Sequence, residues 1–143
     1  MILIESLISF GATICFAILF SAPKKELPFC GCTGALGWFV YGILVQNDVS
    51  KVIASMAATA VLTILARCFA VIRQNPVTIY LLTGIFSLVP GSGLYYTTYY
   101  LFIGDRYQFA MKGLETFEIA GAIVFGIIFG FALPQSLFHK LRR

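Results

Sequence analysis

The sequence predicts an all-α integral membrane protein with about five transmembrane helices, the fourth broken or kinked at Pro90-Gly91. Three observations carry this. Hydrophobic residues make up 59% of the chain and charged residues 11%, against roughly 25% charged in soluble domains. Apolar stretches of roughly 20 residues, the length that crosses a hydrocarbon core, follow one another with short connections. The stretch from Gly84 to Gly104 is hydrocarbon-long, yet it carries Pro90-Gly91-Ser92-Gly93 at its middle. In a soluble helix that tetrapeptide would cost about 3 kcal/mol for the proline and about 1 for each glycine. In a membrane, such a break can present main-chain groups to a polar ligand.

Taken in order, the first span covers about 3–22 and stops at Pro23-Lys24-Lys25-Glu26, whose lysines resist entry into lipid. No basic segment precedes it and no small-residue cleavage site closes it, so it is expected to be retained. The second, about 29–45, is Gly-rich and contains Trp38 and Tyr41. The third, about 52–66, ends in Arg67, and Arg73-Gln-Asn-Pro76 closes the connection that follows. The fourth, about 77–103, is longer than one straight helix needs, which suggests two half-helices or a strong kink. After the polar stretch 104–118, the fifth span, about 119–138, is followed by His139-Lys140-Leu141-Arg142-Arg143. The whole of 1–143 reads as one transmembrane domain.

Lys and Arg are retained on the cytoplasmic side of short loops. With the N-terminus outside, Lys24, Lys25, Arg67, Arg73, Lys140, Arg142 and Arg143 face inward, against Lys51, Arg106 and Lys112 outward. The expected topology is therefore N-terminus outside and C-terminus cytoplasmic. A re-entrant fourth span would move the 104–118 loop to the other side.

Several functions are excluded. No Gly-x-x-x-x-Gly-Lys-Ser/Thr phosphate loop occurs and no soluble domain fits, so uphill work must draw on an ion gradient or a partner. Cys15, Cys30, Cys32 and Cys68 lack nearby histidines, and Cys30-Gly-Cys32 has neither the spacer nor the second pair of a zinc site. No cofactor, metal site, nucleic-acid partner or enzymatic activity is expected.

Polar residues at lipid depth are the candidates. Ser55, Thr59, Thr63 and Arg67 recur every four positions and form one oblique face, which suits helix packing. Arg67 either snorkels to the interface or meets a substrate carboxylate with its planar fork. After the break, Ser92 and Tyr96 stand four apart and continue a hydroxyl face, while Tyr95 and Tyr96 lie too near the break to be explained by an interfacial aromatic belt alone. Glu115 and Glu118 could share a proton or simply complement a helix N-terminus. Ala122, Gly126, Gly130 and Pro134 repeat at four-residue intervals, and Gly126-Ile-Ile-Phe-Gly130 matches a G-x-x-x-G helix-packing face.

Ala22-Pro23-Lys24-Lys25-Glu26-Leu27, Gly34-Ala-Leu-Gly37-Trp38-Phe-Val-Tyr41, Ala66-Arg67, Gly84-Ile-Phe-Ser-Leu-Val-Pro90-Gly91-Ser-Gly93-Leu-Tyr95-Tyr96-Thr97 and Lys112-Gly113-Leu-Glu115-Thr116 together resemble the threonine/serine exporter family. They are most similar to the small subunit of its split form, which corresponds to the C-terminal membrane region of the fused exporters. The resemblance covers nearly the whole chain and keeps motif order, departing at Ser87, where the family commonly has a proline. It implies a bacterial inner-membrane protein that works with a larger companion membrane subunit and exports threonine, serine or another small carboxylate along an ion gradient. A homo-oligomer is the alternative assembly, and a bracing subunit without a substrate site is the alternative function. On the exporter reading, the half-helix after Pro90 points its N-terminus at the substrate carboxylate, with Gly91, Ser92 and Gly93 at the break. Tyr95 and Tyr96 orient the ligand, Arg67 attracts the anion and Glu115 couples a proton.

Overall fold

A computed structural model describes residues 1–134. The helices among these residues, in chain order, are α1 (Ile2–Leu19), α2 (Leu27–Gln46), α3 (Lys51–Arg73), α4 (Val77–Ile85), α5 (Gly91–Ile103) and α6 (Arg106–Ala132), with the 3-10 turn Lys24–Glu26 leading into α2. The end of the anticipated fifth span and the basic tail 139–143 lie outside the described residues.

The expectation of about five spanning helices is corrected. Four helical stretches among the described residues are long and apolar enough to cross a membrane: Ile2–Leu19, Lys24–Gln46, Lys51–Arg73 and Arg106–Ala132. The stretch 77–103 is two separate helices of 9 and 13 residues, each shorter than the roughly 20 residues a crossing needs. The reason lies in the backbone between them. Pro90 has no N–H and disfavours helical geometry at the residue before it, so the break spreads back along the chain. There Ser87 N and Leu88 N donate to Gly84 O and Ile85 O in tight turns, and Gly91 N turns back to Val89 O at 2.7 Å.

The polar stretch 104–118, expected as a connection, is mostly helical. Gly104 ends α5 at φ 83, a left-handed conformation suited to glycine. Asp105 then caps α6 by accepting from Gln108 N at 3.0 Å.

Close backbone approach fixes the packing. Gly34 O accepts from Ser9, Trp38 Nε1 donates to Glu5, and a Cβ at Gly42 would meet Ile2 at 3.3 Å, so successive residues of α2 meet ever earlier residues of α1 and the two helices run antiparallel. The helix α3 occupies the centre and buries Ala54, Ser55, Ala58, Thr59, Leu62, Thr63, Ala66 and Arg67, a repeat of three and four residues. Gly126 of α6 rests on Met56 and Thr59 of α3, and Gly130 rests on Thr63. Both contacts advance in the same direction, so α6 runs parallel to α3. The intervening chain, with α4 against α2 and α3 and α5 against α6, returns to the end from which α3 began.

The distribution of side chains is inverted relative to a soluble domain. Leu3, Leu7, Ile18, Phe102, Phe117 and Phe129 point outward, while Thr13, Thr33, Ser55, Thr59 and Thr63 are buried. Lipid tails are as apolar as leucine, so such helices associate through small residues and satisfied hydroxyls. Thr59 and Thr63 donate to carbonyls four residues back, at 2.7 and 2.8 Å. The chain is an all-helical, multi-spanning membrane protein.

Candidate functional site

The start of α5 opens onto a cavity of about 270 Å³. Pro90, at φ −74 and ψ 63, precedes the first helical residue, so the early N–H groups of α5 have no carbonyl within their own helix and leave a partial positive charge. Pro90, Ser92, Gly93 and Tyr96 line the cavity from this side. Gly93 has a packing reason: a Cβ there would run into Thr116 Oγ1, so only a bare backbone lets α5 lie this close to α6. Thr116 in turn donates to Lys112 O at 2.7 Å.

The opposite walls come from α2, α3 and α6. Trp38 and Tyr41 supply aromatic surface, and Ser55 supplies a hydroxyl. Glu115 sits between two lysines: Lys112 Nζ lies 2.9 Å from Oε2 and Lys51 Nζ lies 3.6 Å from Oε1. Two ammonium groups on one carboxylate leave an excess of one positive charge. That excess and the end of α5 both favour an anion in the cavity.

Thus Pro90, Ser92, Gly93, Tyr96 and Glu115 line a single cavity. Gly91 is exposed at the first position of α5, with nothing within 4 Å of where a Cβ would stand. Tyr95 is 65% exposed and joins its neighbours in a ladder, with ring centroids 5.4 Å from Tyr96 and 6.3 Å from Tyr99. Arg67 is not among the lining residues. It lies twelve residues beyond Ser55 on α3, about 18 Å along the axis at 1.5 Å per residue. There Nη1 donates to Gly130 O at 2.7 Å and to Leu133 O at 2.8 Å, oxygens at the C-terminal end of α6 where a cation is favoured. Ala122, Gly126 and Gly130 are buried on the face of α6 toward the bundle, the two glycines directly against α3.

Lys51, Tyr41 and Trp38 are lining residues that the sequence did not single out for a site, and Ser55, read from the sequence as part of a packing face, lines it as well. Lys112 could have been paired with Glu115 from their spacing of three on one helix. Lys51 carries no such signal, because it arrives from another helix.

A second polar cluster also escaped the sequence. Glu26 is buried, and its two oxygens accept from Arg73 Nε at 3.1 Å and Nη2 at 2.9 Å, while Tyr80 Oη donates to Oε2 at 2.6 Å. The Arg73 guanidinium also covers the Phe29 ring at 4.7 Å. This group ties the turn before α2 to the end of α3 and the first turn of α4.

No group of three or more potential metal ligands exists among the described residues, and the four cysteines are free thiols. No curated protein and no solved structure matches the chain. A family model described as "Threonine/Serine exporter, ThrE" matches residues 5–132. Since that match takes in the cavity, the break and nearly the whole of the four long apolar helices, the chain belongs to the threonine/serine exporter family, whose members are transporters rather than enzymes.

Proposed function

We propose that this chain is the small membrane subunit of a gradient-driven exporter of threonine, serine or another small carboxylate, working beside a larger companion subunit in the bacterial inner membrane with its N-terminus outside. The observation that carries the reading is the meeting, in one small cavity, of the α5 N-terminus, the Ser92 and Tyr96 hydroxyls and a rim with excess positive charge. The substrate carboxylate takes the first-turn N–H groups that follow Pro90, with the exposed Gly91 leaving the start of α5 uncovered. Tyr96 orients the ligand from the next turn, and Tyr95 stiffens Tyr96 through ring contact. Glu115 is the coupling group: neutralising its carboxylate frees two ammonium groups to hold the anion. Arg67, engaged with carbonyl oxygens at the far end of α6, is assigned to holding that helix end.

The test is efflux of radiolabelled threonine from preloaded cells expressing both subunits. Gly91→Leu, which has room to fold, and Glu115→Gln are expected to lose most efflux at normal membrane abundance. Unimpaired efflux in Gly91→Leu removes the α5 terminus from the substrate path.

A bracing role is the second reading. It is favoured by α5, which buries no residue completely and leaves Leu94, Tyr95, Tyr99 and Phe102 outward. If the purified companion alone binds substrate with full affinity, bracing replaces the site.

A further inference from the structure

The first half of α6 runs past the rest of the bundle. Gly126 faces Met56 and Thr59 of the parallel α3, and Gly130 faces Thr63, which brings the first residue of α3, Lys51, level with about Glu118. Residues 106–117 therefore extend about 18 Å beyond the start of α3, at 1.5 Å per residue. The helix α5 goes with them: a Cβ at Gly93 would run into Thr116 and one at Gly113 would meet Thr97 at 3.5 Å, so the two helices lie antiparallel, joined through Gly104 and Asp105. Gly37 rests on Leu62 and Gly42 on Ile2, so α2 ends and α1 begins near the start of α3. The hairpin 91–117 is an arm.

The arm also leaves the hydrocarbon. Lys51, paired with Glu115, and Arg73, paired with Glu26, stand about 33 Å apart along α3, which takes up the roughly 30 Å of a hydrocarbon core. An interfacial aromatic belt accounts for tyrosines at the base of the arm, but its tip carries the exposed Leu101, Phe102 and Ile103. Nor does α5 stand well alone. It has 13 residues, opens with Gly-Ser-Gly and buries no residue, and helices so short and so rich in weak helix formers are marginal without packing.

Charge is confined to one side of the arm. Ser92, Tyr96, Lys112 and Glu115 face the cavity. Leu94, Leu114 and Phe117 each follow one of these by two residues, about 200° round the helix, and so point away, with Leu101 seven residues beyond Leu94 on the same face. All four are more than half exposed. Phe102, Tyr107 and Phe117 are 85, 72 and 76% exposed, and at about 150–250 Å² each they offer roughly 450 Å². The three leucines add to this, toward the roughly 800 Å² per partner of a stable interface. A two-fold axis sets like residues near like, so an uncharged apolar face is self-complementary where a charged one would repel itself. Copies in one bilayer share orientation and depth, so each brings an identical arm to the same height, and two helical hairpins side by side make a four-helix bundle.

We propose that the α5–α6 arm is a dimerisation element whose apolar face is covered by the same arm of a second copy of this chain, outside the hydrocarbon core. The pairing requires no substrate and is independent of the exporter reading.

The experiment places benzoylphenylalanine at Phe102 or, as a control, at Ile18 on the exposed side of α1, in the full chain, expressed in cells with and without the companion. After irradiation of intact membranes, the Phe102 position is expected to give an adduct of twice the chain mass in both cases, and the Ile18 position mainly lipid adducts. Leu101→Glu sets like charges together across the two-fold axis and should lower the dimer adduct about tenfold, while Leu101→Met should preserve it. Unchanged lipid adducts at Ile18 in the Leu101→Glu chain report that the bundle is folded. Light scattering of the parent chain purified in detergent should give two chains per particle. The proposal is overturned if the Phe102 position couples chiefly to lipid or to the companion, if Leu101→Glu leaves the dimer adduct undiminished, or if the parent is one chain per particle.

Discussion

Replacing Gly126 with alanine adds one methyl group where α6 presses on α3. Its Cβ would stand 2.5 Å from the Met56 carbonyl oxygen, 2.9 Å from Thr59 Cβ and 3.1 Å from Ala60 N. Two of these three atoms are backbone, so no rotamer change relieves them. The carbonyl oxygen must retreat about 0.9 Å to reach ordinary contact at 3.4 Å, which means that α6 moves away from α3 as a body. Overpacking of this kind costs about 1–3 kcal/mol. Against it stands a gain of roughly 0.5–1 kcal/mol from replacing glycine inside a helix. Gly121 on the same helix supplies the control, since nothing lies within 4 Å of its added Cβ, and there only the gain remains. Reversible unfolding in detergent micelles should therefore give opposite signs, Gly126→Ala less stable than the parent and Gly121→Ala equal or more stable. If both substitutions stabilise to the same degree, α3 and α6 are not in the close contact described, and the parallel register built on it fails.

Three further outcomes follow from the polar contacts. Tyr80→Phe removes one hydrogen bond to a buried carboxylate and should cost about 1.5–3 kcal/mol. Glu26→Ala should cost more, because it strips Tyr80 and Arg73 of their partner together, and the same unfolding assay ranks the two; an equal or smaller loss in Glu26→Ala would show that the ion pair adds nothing. Arg67→Lys replaces the guanidinium, whose Nη1 reaches the carbonyl oxygens of Gly130 and Leu133, with a shorter point donor, so stability should fall while the KM for threonine efflux stays constant; a raised KM at unchanged stability would return Arg67 to the substrate path. Lys112→Met should raise that KM about two- to fivefold, the scale of a partly exposed charge pair, and Lys112→Arg should preserve it; equal damage from both would mean that charge is not what the lysine supplies.

Parts of the site could be read without coordinates. Pro90 followed by Gly91-Ser92-Gly93 interrupts helical hydrogen bonding by local chemistry, and the spacing of Ser92 and Tyr96 places them on one face of whatever helix follows. Gly126 and Gly130 announce a close approach by another surface. The number of long helices was not legible in the same way. Hydropathy over 77–103 stays high through the break, so length and composition merge two short helices into one stretch, while the polar residues of 104–118 disguise the first turns of α6. Arg67 shows the other limit: a charged residue among apolar ones signals that it has partners, but not that those partners are carbonyl oxygens more than sixty residues away.

Composition and hydropathy by themselves determined that this chain belongs in a bilayer, because with so few charges a long apolar chain can satisfy its backbone only as helices within lipid. Local sequence also determined where a helix cannot continue, since proline and glycine act within a few bonds of their own position. The tertiary structure alone decided that α6 lies parallel to α3, that Lys51 reaches Glu115, that Glu26 pairs with Arg73 and that Trp38 lines the cavity opposite α5. Each of these joins residues distant in the chain, and such contacts are set by which small-residue faces let two helices approach, a choice made among surfaces that the sequence leaves chemically alike.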